Sequence, residues 1–104
     1  MPELILNRGE RLALRAQAHS LSPVVLLGAA GLTAAVMREI DRALNAHGLI
    51  KVRVPGDERA GRESIFFAIA EKLNAARVQM IGKVLVLYRP KPDETSSRRR
   101  PGPN

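Results

Sequence analysis

The spacing of the apolar positions changes along the chain, and each spacing predicts a different element. Residues 24–27 are four successive aliphatic side chains, which is typical of a short strand covered on both faces. Val36, Ile40 and Leu44 then recur at every fourth position, which predicts an amphipathic helix with Thr33 as its N-cap. A short loop with two glycines therefore joins a strand to a helix.

The second half of the chain predicts three more strands and one more helix. Residues 49–54 alternate between apolar and polar positions, as in a strand with one buried face. Residues 58–74 follow as a helix with Asp57 as its cap. Residues 78–81 and 84–88 form a closing hairpin, and because the last strand is apolar on both faces, we expect it inside the sheet.

A further helix is predicted near the N-terminus. Asn7 and Glu10 have the spacing of a capping box, so this helix begins after Asn7 and ends near His19. Residues 1–6 are expected to form a loose arm. Residues 91–104 are rich in proline, serine and charged side chains, so we expect a disordered basic tail.

These elements define the expected fold. Their order gives an α/β fold of the two-layer α+β kind, αβαβαββ, with helices packed on a mixed four-stranded sheet. Two strand–helix–strand units predict right-handed crossovers between parallel neighbouring strands. Residues 7–90 suffice for one domain with a single core.

Charge narrows the possible functions. The chain has 17 basic and 10 acidic residues and a net charge of +7. Residues 1–88 alone carry 12 basic and 8 acidic side chains, so the excess is not confined to the tail. A basic domain favours nucleic acid as a partner first and an anionic membrane surface second.

Several kinds of chemistry lack the residues they need. The chain has no cysteine, and His19 and His47 stand alone at helix ends, where a histidine usually complements the helix dipole. No carboxylates or histidines have metal-ligand spacing, and no serine lies in a nucleophile motif. We therefore expect neither an enzyme nor a small-molecule substrate, metal or cofactor. No signal peptide or membrane-spanning run is present, which favours the cytoplasm.

The loop between the first strand and the second helix is the one candidate binding site. Its glycines and alanines leave the backbone bare, and the following helix offers unpaired N–H groups and the positive end of its dipole, which favours a phosphate. A dinucleotide fingerprint would need another glycine in place of Leu26, and a P-loop would need a lysine after the second glycine. The loop fits a nucleic-acid backbone better, as in the GxxG of KH domains, with an unoccupied tight turn as the alternative. Its residues are Gly28, Ala29, Ala30, Gly31, Leu32 and Thr33.

Basic side chains are expected to extend this site. One set lies on or beside the predicted strands, and a second forms a stripe on the first helix, although a merely solvated face would give the same stripe. The two sets are Lys51, Arg53, Lys83 and Arg89, and Arg8, Arg11 and Arg15. Aromatic side chains are few, and Phe66 and Phe67 should pack in or near the core, so recognition should use phosphate contacts and shape rather than stacked bases.

Three segments resemble one known family. Residues 21–33, LSPVVLLGAAGLT, closely resemble the L-x-P-V-x-x-x-G-x-x-G-L-T signature of YhbY-type proteins, the bacterial stand-alone CRM domains. Residues 49–52 and 81–89 resemble the second and last strands of that family, and the likeness spans about residues 6–90. The resemblance implies an RNA-binding domain similar in fold to the C-terminal domain of bacterial translation initiation factor three. It also implies association with ribosomal RNA in precursors of the large ribosomal subunit.

The loop of this chain differs from many family members in one respect. Many carry a polar or basic residue inside the GxxG, where this chain has Ala29 and Ala30. We therefore expect this loop to contact RNA through its backbone N–H groups. The alternatives are an architectural DNA-binding protein and a module that docks on a ribosomal or assembly protein.

Overall fold

The computed structural model describes residues 3–56 and 58–92, and its element order is the predicted αβαβαββ. Residues 1–2, the Asp57 cap and most of the expected tail, residues 93–104, lie outside the described residues. The elements are α1 Arg8–Ala18, β1 Val25–Leu26, α2 Ala34–His47, β2 Leu49–Arg53, α3 Arg59–Leu73, β3 Ala76–Ile81 and β4 Val84–Tyr88.

The four strands form one mixed sheet in the order β1-β2-β4-β3. β1 and β2 are parallel, whereas β4 pairs antiparallel with both β2 and β3. β4 is therefore central, as its doubly apolar sequence predicts. The second strand–helix–strand unit does not give parallel neighbours, which corrects that expectation. The two-residue hairpin turn folds β4 back beside β3, and β4 fills the position next to β2.

Alternate residues of β4 point to opposite faces of the sheet, and different helices cover them. Leu85 and Leu87 belong to the larger cluster, which includes Ile40 of α2 and Ile69 of α3. Val86 belongs to a smaller cluster that includes part of α1. The expected two layers are thus the sheet with α2 and α3, and α1 adds a partial third layer on the other face.

β1 differs from its prediction in length and in burial. Only two residues pair with β2, and β1 lies at the edge of the sheet. Val25 is buried, but Leu26 is 65% exposed, so the strand is not covered on both faces. The apolar run predicted cover on both faces, whereas α1 packs on β2, β3 and β4.

Local side-chain caps fix the starts of α1 and α2, as predicted. Glu10 N donates to Asn7 Oδ1 at 2.7 Å, and Asn7 N donates to Glu10 Oε1 at 3.0 Å, which completes the capping box. Val36 N donates to Thr33 Oγ1 at 3.1 Å. α3 begins after Glu58, whose side chain makes no cap hydrogen bond. The Thr33 cap therefore fixes the start of α2 directly after the glycine loop.

The N-terminal segment packs on the domain over residues 3–6, which corrects the expectation of a loose arm there. Leu4 N donates to Ala75 O at 2.9 Å, and Leu6 is buried in the smaller apolar cluster, which includes part of α1. Arg77 Nε donates to Glu3 Oε2 at 2.7 Å, and this hydrogen bond raises the pKa of Arg77 further above its usual value. The arginine also lies 5.1 Å from the ring of Phe67.

The two phenylalanines have different environments, although the sequence predicted that both pack in or near the core. Phe66 is buried among α3 and the sheet, as expected. Phe67 is 43% exposed, because the neighbouring helix position turns its ring toward the surface beside Arg77.

Candidate nucleic-acid interface

The GxxG loop, residues 28–33, projects from the edge of the sheet into open space. Gly31 N donates to Gly28 O at 3.0 Å, which closes a tight turn over Ala29 and Ala30. Leu27 N donates to Arg53 O at 2.9 Å and ties the start of the loop to β2. A methyl group at Gly28 or at Gly31 would meet no atom within 4 Å. A polymer can therefore approach the backbone of the loop without steric obstruction.

The two glycines of the loop have different backbone requirements. Gly31 has φ +77°, a conformation that L residues rarely adopt, whereas the φ of Gly28 is not positive. Gly31 is thus needed for the turn itself. Gly28 can accept a side chain, which makes it the better position at which to test the loop.

The N-terminus of α2 directly follows the loop and is compatible with an anion. Its first turn contains no acidic side chain. Thr33 caps the N–H of Val36, and within the described part of the chain the N–H groups of Ala34 and Ala35 donate to no acceptor. The positive end of the helix dipole and two N–H donors therefore face the space beside the loop.

Arg53 and Lys83 lie at the same edge of the sheet as the loop, which is the edge formed by the ends of the parallel strands β1 and β2. The β3–β4 turn also lies at this edge. Val54 N donates to Lys83 O at 2.8 Å, so the turn adjoins the end of β2. Both cationic side chains are exposed. The structure thus brings two of the expected basic residues beside the bare backbone.

Lys51 and Arg15 continue this group of cations along the sheet face that carries α1. Lys51 precedes Arg53 by two residues and shares its face, and Lys51 Nζ donates to Leu21 O at 2.8 Å. The Gln79 amide, oriented with its oxygen toward Arg15, accepts from Arg15 Nε at 3.2 Å and from Nη2 at 3.0 Å. We call Arg15, Lys51, Arg53 and Lys83 the basic strip.

Arg8 and Arg11 belong to the same helical stripe as Arg15 but lie farther along α1. Arg8 precedes Arg15 by seven residues, which is about 10 Å along the helix axis. These two arginines can extend the basic strip but do not adjoin the loop.

Arg89 does not lie on the expected basic surface, because its side chain is held between other parts of the domain. It lies six residues after Lys83, about 20 Å along the extended chain. Its Nη1 donates to Leu73 O at 2.9 Å and pairs with Asp41 Oδ1 at 2.9 Å, and its Nη2 donates to Asn45 Oδ1 at 2.8 Å. The side chain is only 18% exposed. Arg89 therefore joins α2 to the end of α3, where a helix terminus attracts a cation.

Sequence reasoning missed a groove between α2 and α3 with a volume of about 600 Å³. The groove opens beside the GxxG loop, because Leu32 and Thr33 line one end of it. Arg38 follows the start of α2 by one turn, so the sequence alone indicated a cation near the start of this helix. Nothing in the sequence indicated that α3 would place a second cation opposite it. The remaining lining residues are Ala34, Met37, Arg38, Asp41, Ala68, Lys72 and Leu73.

A row of four cross-strand neighbours, three of them aliphatic, crosses the sheet on the face of the basic strip, and we call it the aliphatic row. Leu26 pairs with Arg53, Arg53 with Val84, and Val84 with Ile81. Leu26 is 65% exposed and Ile81 is 51% exposed. This face therefore combines aliphatic and basic side chains, and none of the four residues in the row is aromatic.

The described residues contain no cluster of three or more potential metal-ligating side chains. In residues 3–56 and 58–92, no helix combines the length and apolarity that crossing a bilayer requires.

Comparison with known proteins points in the same direction as the geometry. The CRS1 / YhbY (CRM) domain matches residues 6–89 of the chain. An RNA-binding protein of Haemophilus influenzae is 49% identical over 85 residues, which are 82% of this chain and 86% of that protein. A probable RNA-binding protein of Pseudomonas aeruginosa is 34% identical over 96 residues, 90% of this chain and 92% of that protein. The solution structure of a hypothetical protein from Staphylococcus aureus aligns with a TM-score of 0.76 at 28% identity, covering 84% of this chain and 91% of that chain.

Proposed function

We propose that this chain, which belongs to the CRS1 / YhbY (CRM) domain family, is a non-enzymatic RNA-binding protein that assists ribosome assembly. It holds RNA backbone at the GxxG loop and acts in the cytoplasm on precursors of the large ribosomal subunit. The names of the Haemophilus and Pseudomonas relatives support RNA as the partner. The resemblance of residues 21–33 to the YhbY signature supports ribosomal RNA in large-subunit precursors as its source.

The position of the GxxG loop carries this proposal. The loop is exposed, its side chains are no larger than methyl over residues 28–31, and the donor end of α2 adjoins it. Arg53 and Lys83 flank the same edge. A phosphate at this edge accepts from backbone N–H groups and receives charge from both side chains. Because the loop offers no base-reading side chain, recognition depends on backbone and shape.

A salt titration of binding to structured ribosomal RNA tests the electrostatic part. If the loop and the surrounding cations neutralise about six phosphates, log K should fall with log salt concentration at a slope of about −4 to −5. A flat dependence would reject a phosphate grip.

The choice of RNA over DNA needs a separate experiment, because phosphate contacts do not distinguish the two. We expect structured ribosomal RNA to outcompete duplex DNA of equal length at fixed salt, since contacts to the 2′-hydroxyl favour RNA. Equal competition would support the architectural DNA-binding alternative.

The aliphatic row favours a second candidate function, docking on a ribosomal or assembly protein. RNA backbone gains little from covering Leu26 and Ile81, whereas a protein surface gains their burial. Under this alternative, association with precursor particles survives nuclease treatment and is lost when both residues are changed to serine. Under the RNA proposal, nuclease treatment releases the protein, and the double variant remains bound before that treatment.

A further inference from the structure

The groove between α2 and α3 has the size and lining of a small ligand site. Its volume of about 600 Å³ lies within the usual range of such sites. Leu32 closes the end nearest the loop, Met37 and Ala68 line its two helical walls, and Leu73 lies farther along α3. Arg38 and Lys72 bring positive charge to it from the two helices. The groove can thus accept a flat, mostly apolar group that is attached to an anionic chain.

The groove and the phosphate site share residues. Thr33 and Ala34 line the groove, and the same two residues begin α2 at the proposed phosphate position. Met37 is three residues beyond Ala34, about 4.5 Å along the helix axis. A base can reach the level of Met37 while its own phosphate stays at the start of α2.

The chemistry of the lining suits a nucleobase better than a paired helix. A methionine thioether is polarizable and makes favourable contacts with aromatic rings. The Asp41 carboxylate, which is 45% exposed, offers an acceptor to an exocyclic amino group. Arg38 and Lys72 can neutralise the phosphates on either side of the inserted nucleotide.

We propose that this groove accepts one unpaired base of the RNA, next to the phosphate held at the GxxG loop. The inference rests on the proposed function and deepens it, because it specifies RNA with an unpaired nucleotide rather than continuous duplex. A base inside a duplex must first be unstacked and unpaired, which costs free energy. The basic strip lies on the other side of the loop, so the RNA crosses the sheet edge with its unpaired nucleotide toward α2 and α3.

The test compares two RNAs and three proteins. One hairpin carries a single bulged nucleotide, and the other carries an abasic residue at that position with unchanged phosphates. The native protein should bind the abasic hairpin about five- to twentyfold more weakly, which is the lower part of the range for losing one base–aromatic stack, because the groove is lined by Met37 and aliphatic groups instead of an aromatic ring. Ala68→Leu, which fills the groove, should bind both hairpins equally and at the weaker level. Ala46→Leu, a matched change at an exposed α2 position outside the groove lining, should behave like the native protein.

A second measurement uses the native protein, so its result does not depend on whether Ala68→Leu folds. The methyl resonance of Met37 should shift upfield on binding the bulged hairpin and stay in place with the abasic one, because only a base ring carries a ring current. The proposal is overturned if the native protein binds both hairpins equally, or if the Met37 methyl responds to a ribosomal protein but not to RNA. The salt slope would be unchanged in either case, so the phosphate grip is judged separately.

Discussion

Replacing Gly28 by aspartate places a carboxylate where we expect phosphate. The position tolerates a side chain, because its φ is not positive and a Cβ would meet no atom within 4 Å. At about 5 Å from a phosphate, the repulsion between two unit charges is about 1 to 3 kcal/mol for effective dielectric constants between those of water and a protein surface. Such a distance is shorter than the Debye length of about 8 Å at physiological salt, so the repulsion persists there. We expect RNA affinity to fall roughly 5- to 150-fold, since each 1.4 kcal/mol is a factor of ten.

The matched control is Gly28→Ala, which adds a methyl group without charge. We expect its RNA affinity to stay within about twofold of the native value and the thermal midpoint of both variants to change little. Fluorescence anisotropy with a labelled ribosomal RNA fragment measures the affinities, and a circular-dichroism melt monitors the fold. If Gly28→Asp binds as tightly as Gly28→Ala, the loop does not hold phosphate and the reasoning is wrong.

Three further changes test individual parts of the account. Arg53→Ala should weaken RNA binding and make the salt slope shallower by about one unit. Arg42→Ala, which removes an exposed cation from α2, should change the slope less. If the two variants have equal salt slopes, the basic strip does not contact RNA phosphate. Arg89→Ala should destabilise the fold by about 1 to 2 kcal/mol in urea unfolding, because it removes the charge-assisted hydrogen bonds that join Leu73 O to α2, and a change below 0.5 kcal/mol would argue against this role. Gly31→Ala should cost about 1 to 2 kcal/mol in the same assay from backbone strain alone, and a neutral result would show that the turn can relax.

Features that depend on neighbouring residues could be predicted from the sequence. The capping box of Asn7 and Glu10, the Thr33 cap and the central position of β4 all follow from spacing within a few residues. The GxxG loop belongs to this class, because a strand, two glycines and a helix start are adjacent in the chain. The surroundings of Gly28 confirm that the loop is exposed, while its contact with RNA stays a prediction.

Features that depend on distant segments could not be predicted in this way. Arg89 has the composition of a surface cation, but its partners Asp41 and Leu73 come from two helices that meet only in the folded domain. The groove has the same origin, since Leu32 and Lys72 are forty residues apart in sequence. For β1 the sequence predicted too much burial. Its apolar run indicated a buried strand, and only the strand order shows that β1 lies at an edge of the sheet.

The central claim is that the backbone of residues 28–35 holds RNA phosphate. Its most direct test is amide chemical-shift mapping during titration with the ribosomal RNA fragment. If this backbone holds phosphate, the largest shifts fall on the N–H groups of Ala29, Ala30, Ala34 and Ala35, followed by those of Arg53 and Lys83. Shifts confined to α1 and β3, with the loop amides unchanged at saturation, would contradict it.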